Sequence, residues 1–185
     1  DSTGICFIGE RPFGEFLESW LPGIPGPIET ADGEVIGEHQ GLARYTLGQR
    51  SGLGVGGRKD RMAAPWFVAG KDLVRNALIV VQGRDHPALY CAGLRAASVH
   101  WISGESPAAA FDCTVKLRYR QPDVRCVVNL SGECADVRFA EPQAGAVPGQ
   151  YAVFYRDEEC LGGGVIDSLI INAEESCRTA SRHAA

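Results

Sequence analysis

The 185-residue sequence predicts a mainly β protein of the α+β class, in which a small mixed domain is followed by an antiparallel β-barrel. Glycine occurs 23 times and Val-rich runs of alternating polarity are common, and both features favour strands and turns over long helices. From about residue 94 onward, six such runs follow one another with turn clusters between them. This pattern is typical of a small barrel.

The first half of the chain predicts one short helix and two pairs of strands. Pro12 suits the first turn of the helix, and the apolar residues after it recur at helical spacing until Pro22. Asp32 and Gly33 form a tight-turn signal between two β-prone segments, which predicts a hairpin. In chain order, the predicted elements are a helix over 11–21, a hairpin over 26–37, one or two helical turns over 39–45, and strands over 65–69 and 77–82.

The second half of the chain predicts the barrel, after a polar junction at residues 83–87. Its three consecutive glycines, 162–164, directly precede an apolar pair. They therefore predict close backbone approach or a sharp bend rather than a phosphate loop. The six predicted strands cover residues 96–102, 111–119, 125–130, 135–139, 151–155 and 161–166.

Charge and cysteine content narrow the possible functions. The net charge of −5 argues against indiscriminate binding to polyanions, so contact with a nucleic acid requires a local basic patch. Seven cysteines, an odd number without a Cys-x-x-Cys pair, argue against a secreted disulfide framework and a structural zinc site, so we expect a protein of the reducing cytoplasm. No segment has the apolar length of a bilayer, so we expect a soluble protein without a membrane partner. The only methionine is Met62, and we therefore expect the chain to be part of a longer or processed protein.

The opening ten residues place Cys6 between Gly4 and Gly9. Glycine on each side favours a movable loop that presents the thiol, and the hydroxyls of Ser2 and Thr3 are available to stabilise a thiolate. The alternative is a short buried strand in which the cysteine serves as a small apolar side chain. The remaining cysteines before the C-terminal tail lie in or beside predicted strands, and we expect them to be packing residues.

A basic ribbon runs through residues 113–121. Strand alternation places Lys116, Arg118 and Arg120 on one face, opposite the apolar side chains. The planar guanidinium suits phosphate oxygens, so the ribbon is a candidate phosphate-binding stripe. The alternative is the solvated outer face of a barrel strand.

A glycine-rich segment over 48–59 also carries cations. Such a loop can wrap a phosphate with backbone N–H groups, but no Gly-Lys-Ser or Gly-Lys-Thr follows, and a flexible connection explains the composition as well. If the segment is functional, we expect Arg50 to contact an RNA backbone rather than ATP.

Five segments in the same order resemble motifs of the bacterial tRNA-specific 2-thiouridylases, the MnmA or TrmU family. The resemblance extends from Asp1 to about Asp167. The segments are Asp-Ser-Thr-Gly-Ile-Cys-Phe-Ile-Gly-Glu-Arg at 1–11, Gly-Glu-His-Gln-Gly-Leu at 37–42, Tyr-Thr-Leu-Gly-Gln-Arg at 45–50 with Gly-Leu-Gly at 52–54, Arg-Tyr-Arg-Gln at 118–121, and Cys-Leu-Gly-Gly-Gly at 160–164.

The resemblance implies an activity. The family thiolates the wobble uridine U34 of the tRNAs for Lys, Glu and Gln. An N-terminal PP-loop domain uses ATP and Mg²⁺ to adenylate the base, and a cysteine persulfide then delivers sulfur. By resemblance Cys6 carries this persulfide, fed by a sulfur-relay protein and a cysteine desulfurase. A second cysteine in the N-terminal domain assists, either by releasing sulfide or by forming a disulfide with Cys6.

The resemblance also implies tRNA contacts and a domain order. Arg118 and Tyr119 match a tRNA-binding pair of the family, and Gln150 matches a further tRNA contact in a turn. Strict alternation sends Arg118 and Tyr119 to opposite faces, so both reach one ligand only if the strand ends or twists near Tyr119. The implied domains are a catalytic-cysteine loop at 1–10, a small central α+β domain at 11–83, a C-terminal barrel at 84–171 and a disordered tail at 172–185.

The sequence departs from the family in lacking a Ser-Gly-Gly-x-Asp-Ser loop. We therefore expect no bound ATP, Mg²⁺ or other cofactor in this chain, and no thiolation by the chain alone. Two other functions stay open. One is a noncatalytic RNA-binding β module, and the other is a Cys-His hydrolase that pairs Cys6 with His39. For His39 itself, a structural role with both ring nitrogens hydrogen-bonded is the favoured interpretation.

Overall fold

A computed structural model describes residues 23–55, 64–118 and 121–171. The predicted helix at 11–21 lies outside the described residues, as do the Cys6 loop and the C-terminal tail. The chain divides into two compact units between His86 and Pro87. None of the helices in the described part of the chain is long and apolar enough to cross a membrane.

The first unit contains a four-stranded mixed sheet. Its strands are β1 (Gly26–Thr30), β2 (Val35–His39), β3 (Trp66–Asp72) and β4 (Ala77–Gln82), in the order β2-β1-β4-β3. The predicted hairpin is confirmed: β1 and β2 are antiparallel, and Gly33 occupies the turn with a φ of 83°, which favours glycine. β1 and β4 are parallel, and the expected helical turn is a 3₁₀ helix over Leu42–Arg44.

The core of this unit lies against the sheet. Ile28, Val68, Leu78 and Val80 are fully buried, because alternate positions of their strands face the same layer. Tyr45 and Leu53 from the connecting segments complete the cluster, together with partly buried neighbours. Residues 42–55 of the connection between β2 and β3 therefore contribute to the packed core.

The second unit is a closed six-stranded antiparallel barrel, as the sequence predicts. Its strands are β5 (Tyr90–Trp101), β6 (Ala110–Lys116), β7 (Val124–Ser131), β8 (Cys134–Ala144), β9 (Tyr151–Arg156) and β10 (Glu159–Ile170). The strand order is β10-β5-β8-β7-β6-β9, with β9 paired back to β10. β6 ends at Lys116, three residues earlier than the sequence predicts, because the backbone bends at Leu117 and Arg118.

The barrel interior is filled by apolar side chains around Phe154, which is fully buried. Trp101 stacks on Phe154 with ring centroids 5.8 Å apart. The predicted close backbone approach at the glycine run is also present: a Cβ at Gly162 would collide with the His100 carbonyl, and one at Gly163 would lie 2.6 Å from the Ala152 carbonyl oxygen. Glycine at these positions lets β10 pair with both of its neighbours.

Candidate functional site

The predicted site residues fall into two groups. Cys6, Tyr119 and Arg120 lie outside the described residues, whereas Arg50, Lys116, Arg118 and Gln150 lie within them. Lys116, Arg118 and Gln150 belong to the barrel, and Arg50 belongs to the first unit. Three of the four described candidates therefore lie on the barrel.

Lys116, the last residue of β6, is held by two neighbours. Its Nζ atom lies 3.2 Å from Asp123 Oδ1 and 5.3 Å from the centroid of the Tyr155 ring. The carboxylate balances the ammonium charge, and the ring face adds a cation–π attraction. Lys116 is therefore a weaker candidate for binding phosphate than the alternation of the ribbon suggests.

Arg118 lies in the bend beyond the end of β6, and its side chain is exposed. The neighbouring Val115 and Leu117 are buried, so the predicted alternation of the ribbon is correct for the described residues. The Arg118 guanidinium lies over Gly145, where an added Cβ would be 3.5 Å from Cζ. Within the described ranges no carboxylate pairs with this guanidinium, which leaves its N–H groups available to a ligand.

The loop that begins at Gly145 leads to Gln150 through a tight turn. The Gln150 N–H donates to the Val147 carbonyl over 3.1 Å, and Pro148 and Gly149, with φ of 87° at the glycine, occupy the central positions. This sequence and geometry fit a type II turn. Two hydrogen bonds to Ile166 fix the turn to β10. The Gly149 N–H donates to the Ile166 carbonyl (2.8 Å), and the Ile166 N–H donates to the Gln150 carbonyl (2.7 Å). The Gln150 backbone is therefore fixed while its side chain is exposed.

Strand register brings the end of β6 and the turn before β9 to the same end of the barrel. β6 and β9 are antiparallel neighbours with Lys116 opposite Val153. The chain beyond Lys116 therefore runs towards the start of β9. Tyr151 is the first residue of β9, and Gln150 directly precedes it. Arg118 and Gln150 are thus presented from adjacent chain segments, which is the arrangement that a shared ligand requires.

Tyr151 is a candidate that the sequence reasoning did not single out. It is 62% exposed at the first position of β9, directly after Gln150. An exposed aromatic ring beside an unpaired guanidinium offers a face on which an unstacked base can lie. Alternation within β9, whose Ala152 and Phe154 are fully buried, was the sequence signal that could have placed this ring outside the barrel.

Arg50 is also exposed, and the two residues before it use their N–H groups within the chain. The Gly48 N–H donates to the Val68 carbonyl over 2.8 Å, and the Gln49 N–H donates to the Thr46 carbonyl over 3.0 Å. These two N–H groups are therefore not available to a ligand. What the described part of the loop offers to an RNA backbone is the exposed Arg50 side chain.

Comparison with known proteins covers both units. Residues 14–82 match the family model described as tRNA methyl transferase PRC-barrel domain, and residues 91–166 match the aminomethyltransferase beta-barrel domain. The chain is 56% identical over 175 residues to the tRNA-specific 2-thiouridylase MnmA of Idiomarina loihiensis, covering 94% of this chain and 47% of the relative. It is 57% identical over 171 residues to the MnmA of Proteus mirabilis, covering 92% and 47%. The chain belongs to the tRNA-specific 2-thiouridylase family.

This chain spans about half the length of the curated 2-thiouridylases it matches. In the described part of the chain, no group of three or more His, Cys, Asp or Glu side chains is placed to hold a metal ion. The N–H groups of Gly48 and Gln49 are engaged within the chain and are not available to a phosphate.

The 2-thiouridylase-like segment at 37–42 contains His39, whose side chain is fully buried. The Gly41 N–H donates to its Nδ1 atom (3.0 Å), so the neutral ring carries its proton on Nε2 and donates it to the Asn76 carbonyl (2.9 Å). Tyr45 packs edge-on against the ring, with centroids 6.0 Å apart. His39 is structural, as expected, and has no free nitrogen to act as the general base of a hydrolase.

Proposed function

We propose that this chain is the sulfur-presenting and tRNA-docking part of a tRNA-uridine 2-sulfurtransferase that thiolates wobble uridine U34. The observation that carries the docking proposal is the exposed Arg118 guanidinium over Gly145, in the loop that leads to exposed Gln150. The similarity to tRNA-specific 2-thiouridylases supports the same activity. The tRNAs for Lys, Glu and Gln are the proposed substrates.

On the barrel, each side chain has a proposed role. Arg118 binds phosphate through its planar fork, and the Gln150 amide donates and accepts hydrogen bonds to base or sugar. Tyr119 and Arg120 extend the contact, and Tyr151 stacks on a base. Lys116 contributes less because it is shared with Asp123, and Arg50 is a proposed further contact to the RNA backbone.

Cys6 is the proposed sulfur carrier. Its thiolate accepts sulfane sulfur from a relay protein fed by a cysteine desulfurase, and the resulting persulfide delivers sulfur to the uracil C2 position. A second cysteine in the N-terminal domain of the parent enzyme assists by attacking the Cys6 sulfur, which breaks the S–S bond and forms a disulfide. The outer sulfur leaves either as sulfide or already bonded to C2. By resemblance, ATP and Mg²⁺ serve the adenylation of the base in a domain with a Ser-Gly-Gly-x-Asp-Ser loop, a motif that these 185 residues do not contain, so we propose that they alone do not thiolate tRNA. The proposed location is the cytoplasm.

A Cys6→Ser substitution in the complete parent enzyme tests this function. We expect loss of 2-thiouridine formation in a single-turnover assay with persulfide-loaded relay protein, while tRNA affinity stays within about twofold of the unmodified enzyme. A Cys177→Ser variant is the matched control, because it removes a thiol near the other end of the chain. Full thiolation by Cys6→Ser would instead favour the noncatalytic RNA-binding module.

A further inference from the structure

Two thiols face each other inside the barrel wall. Cys113 on β6 is the direct register partner of Cys126 on β7, and their Sγ atoms lie 3.6 Å apart. Both side chains point to the interior face, as do Val115 and Val128, which are fully buried. Neither the activity proposed above nor the tRNA contacts use this pair.

The two thiols differ in environment. Cys113 is half-buried, whereas Cys126 is only 4% exposed. The hydrogen bond from Cys126 lowers the pKa of the Cys113 thiol, and the positive charge of Arg156 acts in the same direction. The pKa of the Cys126 thiol is raised by the hydrogen bond to Cys113 and by burial. Cys113 is therefore the more reactive and more accessible member of the pair.

We propose that Cys113 and Cys126 form an oxidative modification site, at which hydrogen peroxide converts the two thiols into a cross-strand disulfide. In the first step the Cys113 thiolate attacks a peroxide oxygen, the O–O bond breaks, and the departing hydroxide takes a proton to form water. In the second step the Cys126 sulfur attacks the Cys113 sulfenic acid, the S–O bond breaks, and a second water leaves. Two thiols are oxidised, and one peroxide is reduced to two waters.

Strand geometry allows the bond to close without rearranging the barrel. Directly opposed residues in an antiparallel pair have Cα atoms about 4.5–5.5 Å apart, which falls within the range of about 4.4–6.8 Å found for disulfides. The sulfurs must approach from 3.6 Å to a bond length of about 2.05 Å, which small side-chain rotations supply. Among the described cysteines, this is the one pair whose sulfurs are in contact.

Peptide mapping after peroxide treatment tests this site. Trypsin releases Cys113 in the peptide 96–116 and Cys126 in the peptide 126–138, which also contains Cys134. The experiment therefore uses the full chain with Cys134→Ser. We expect a cross-linked species that joins the two peptides, lacks two hydrogen atoms and disappears on reduction with dithiothreitol.

Two further variants make the test decisive. Cys126→Ser should leave Cys113 as a sulfenic acid that dimedone traps, and Cys91→Ser should form the cross-link as readily as its parent, because Cys91 has no thiol neighbour among the described residues. Free thiols at both positions after Cys6 has been oxidised would overturn the proposal. So would cross-links that join Cys113 to several cysteines without preference. Mapping the unsubstituted chain with a second protease keeps the test valid if a variant fails to fold.

Discussion

The guanidinium of Arg118 lies over Gly145, close enough that a Cβ at position 145 would be 3.5 Å from its Cζ atom. This contact joins the bend after β6 to the loop that leads to Gln150, although the two segments are distant in sequence. The arginine, which has no carboxylate partner among the described residues, thus contacts the loop that leads to the exposed Gln150 amide and the exposed Tyr151 ring. The proposed docking surface is therefore a junction of two loops rather than one strand.

Removal of the Arg118 charge should weaken tRNA binding. For Arg118→Ala in the complete enzyme, we expect the binding free energy for tRNA to weaken by about 1 kcal/mol or more. The slope of log affinity against log salt concentration should fall by about one, which corresponds to one released counterion fewer. Arg125→Ala is the matched control, because Arg125 is an exposed arginine on the neighbouring strand β7. Filter binding at several salt concentrations measures both quantities, and equal effects of the two substitutions would contradict the assigned surface.

Freeing Lys116 should strengthen tRNA binding. Asp123→Asn removes the carboxylate that lies 3.2 Å from Lys116 Nζ, so the ammonium becomes available to phosphate. We expect tRNA affinity to rise about two- to fivefold at low salt, with a steeper salt dependence. Asp136→Asn makes the same charge change at another exposed ion pair, with Arg95 at 3.6 Å, and should have a smaller effect. A decrease in affinity for Asp123→Asn would argue that Lys116 does not face the RNA.

Tyr151 should contribute by stacking rather than by charge. We expect Tyr151→Ala to reduce tRNA affinity by about fivefold or more with an unchanged salt slope, since base–aromatic stacking is worth about 1–3 kcal/mol. Tyr151→Phe keeps the ring and should retain most of the affinity. Val127→Ala, at an apolar position on β7 that is 41% exposed, controls for loss of exposed apolar surface. Equal losses for Phe and Ala at position 151 would show that the hydroxyl, not the ring, matters.

Much of this arrangement can be predicted from the sequence. The rest depends on which residues become neighbours in three dimensions. Alternation alone predicts that Val115 and Leu117 face inward and Arg118 outward. The same alternation cannot show that Lys116 meets Asp123 across a bend, because that contact depends on where the strand ends. Pairing of Cys113 with Cys126 similarly requires the register of β6 and β7, which the loop between them sets.

The role of His39, the buried histidine of the first unit, could not be decided from the sequence alone. The Gly-Glu-His-Gln-Gly-Leu segment suggested catalytic and structural roles for His39, and only the two backbone hydrogen bonds to its ring decide between them. Loss of that ring leaves the Gly41 N–H and the Asn76 carbonyl without a partner and opens a cavity. We expect His39→Ala to destabilise the first unit by about 2–4 kcal/mol.

Hydrogen exchange of backbone amides in β1 and β2 measures this loss locally. His39→Asn, whose amide offers a shorter acceptor, should recover part of the stability, and exposed His100→Ala should leave exchange in β1 and β2 unchanged. Normal protection of β1 and β2 in His39→Ala would contradict the structural role.

The thiol of Cys91 should make barrel stability sensitive to alkaline pH. Burial raises the pKa of Cys91 from its ordinary value of 9.0 to about 11, and the thiol donates to the Gln143 carbonyl over 3.4 Å. Because the folded pKa is the higher one, the unfolded chain loses this proton first as pH rises. This contribution to barrel stability is complete below pH 9 and is lost as pH rises towards 11; two pKa units at about 1.4 kcal/mol each make it at most about 3 kcal/mol.

Urea unfolding of the barrel between pH 8 and pH 10.5 measures this contribution. Cys91→Ala cannot ionise at this position, so its free energy of unfolding should fall less steeply with pH than that of the unsubstituted chain, even though its stability at pH 8 is lower. Other groups titrate in both proteins, and the difference between the two slopes therefore isolates Cys91. Parallel pH profiles would mean that the Cys91 thiolate is tolerated in the folded barrel.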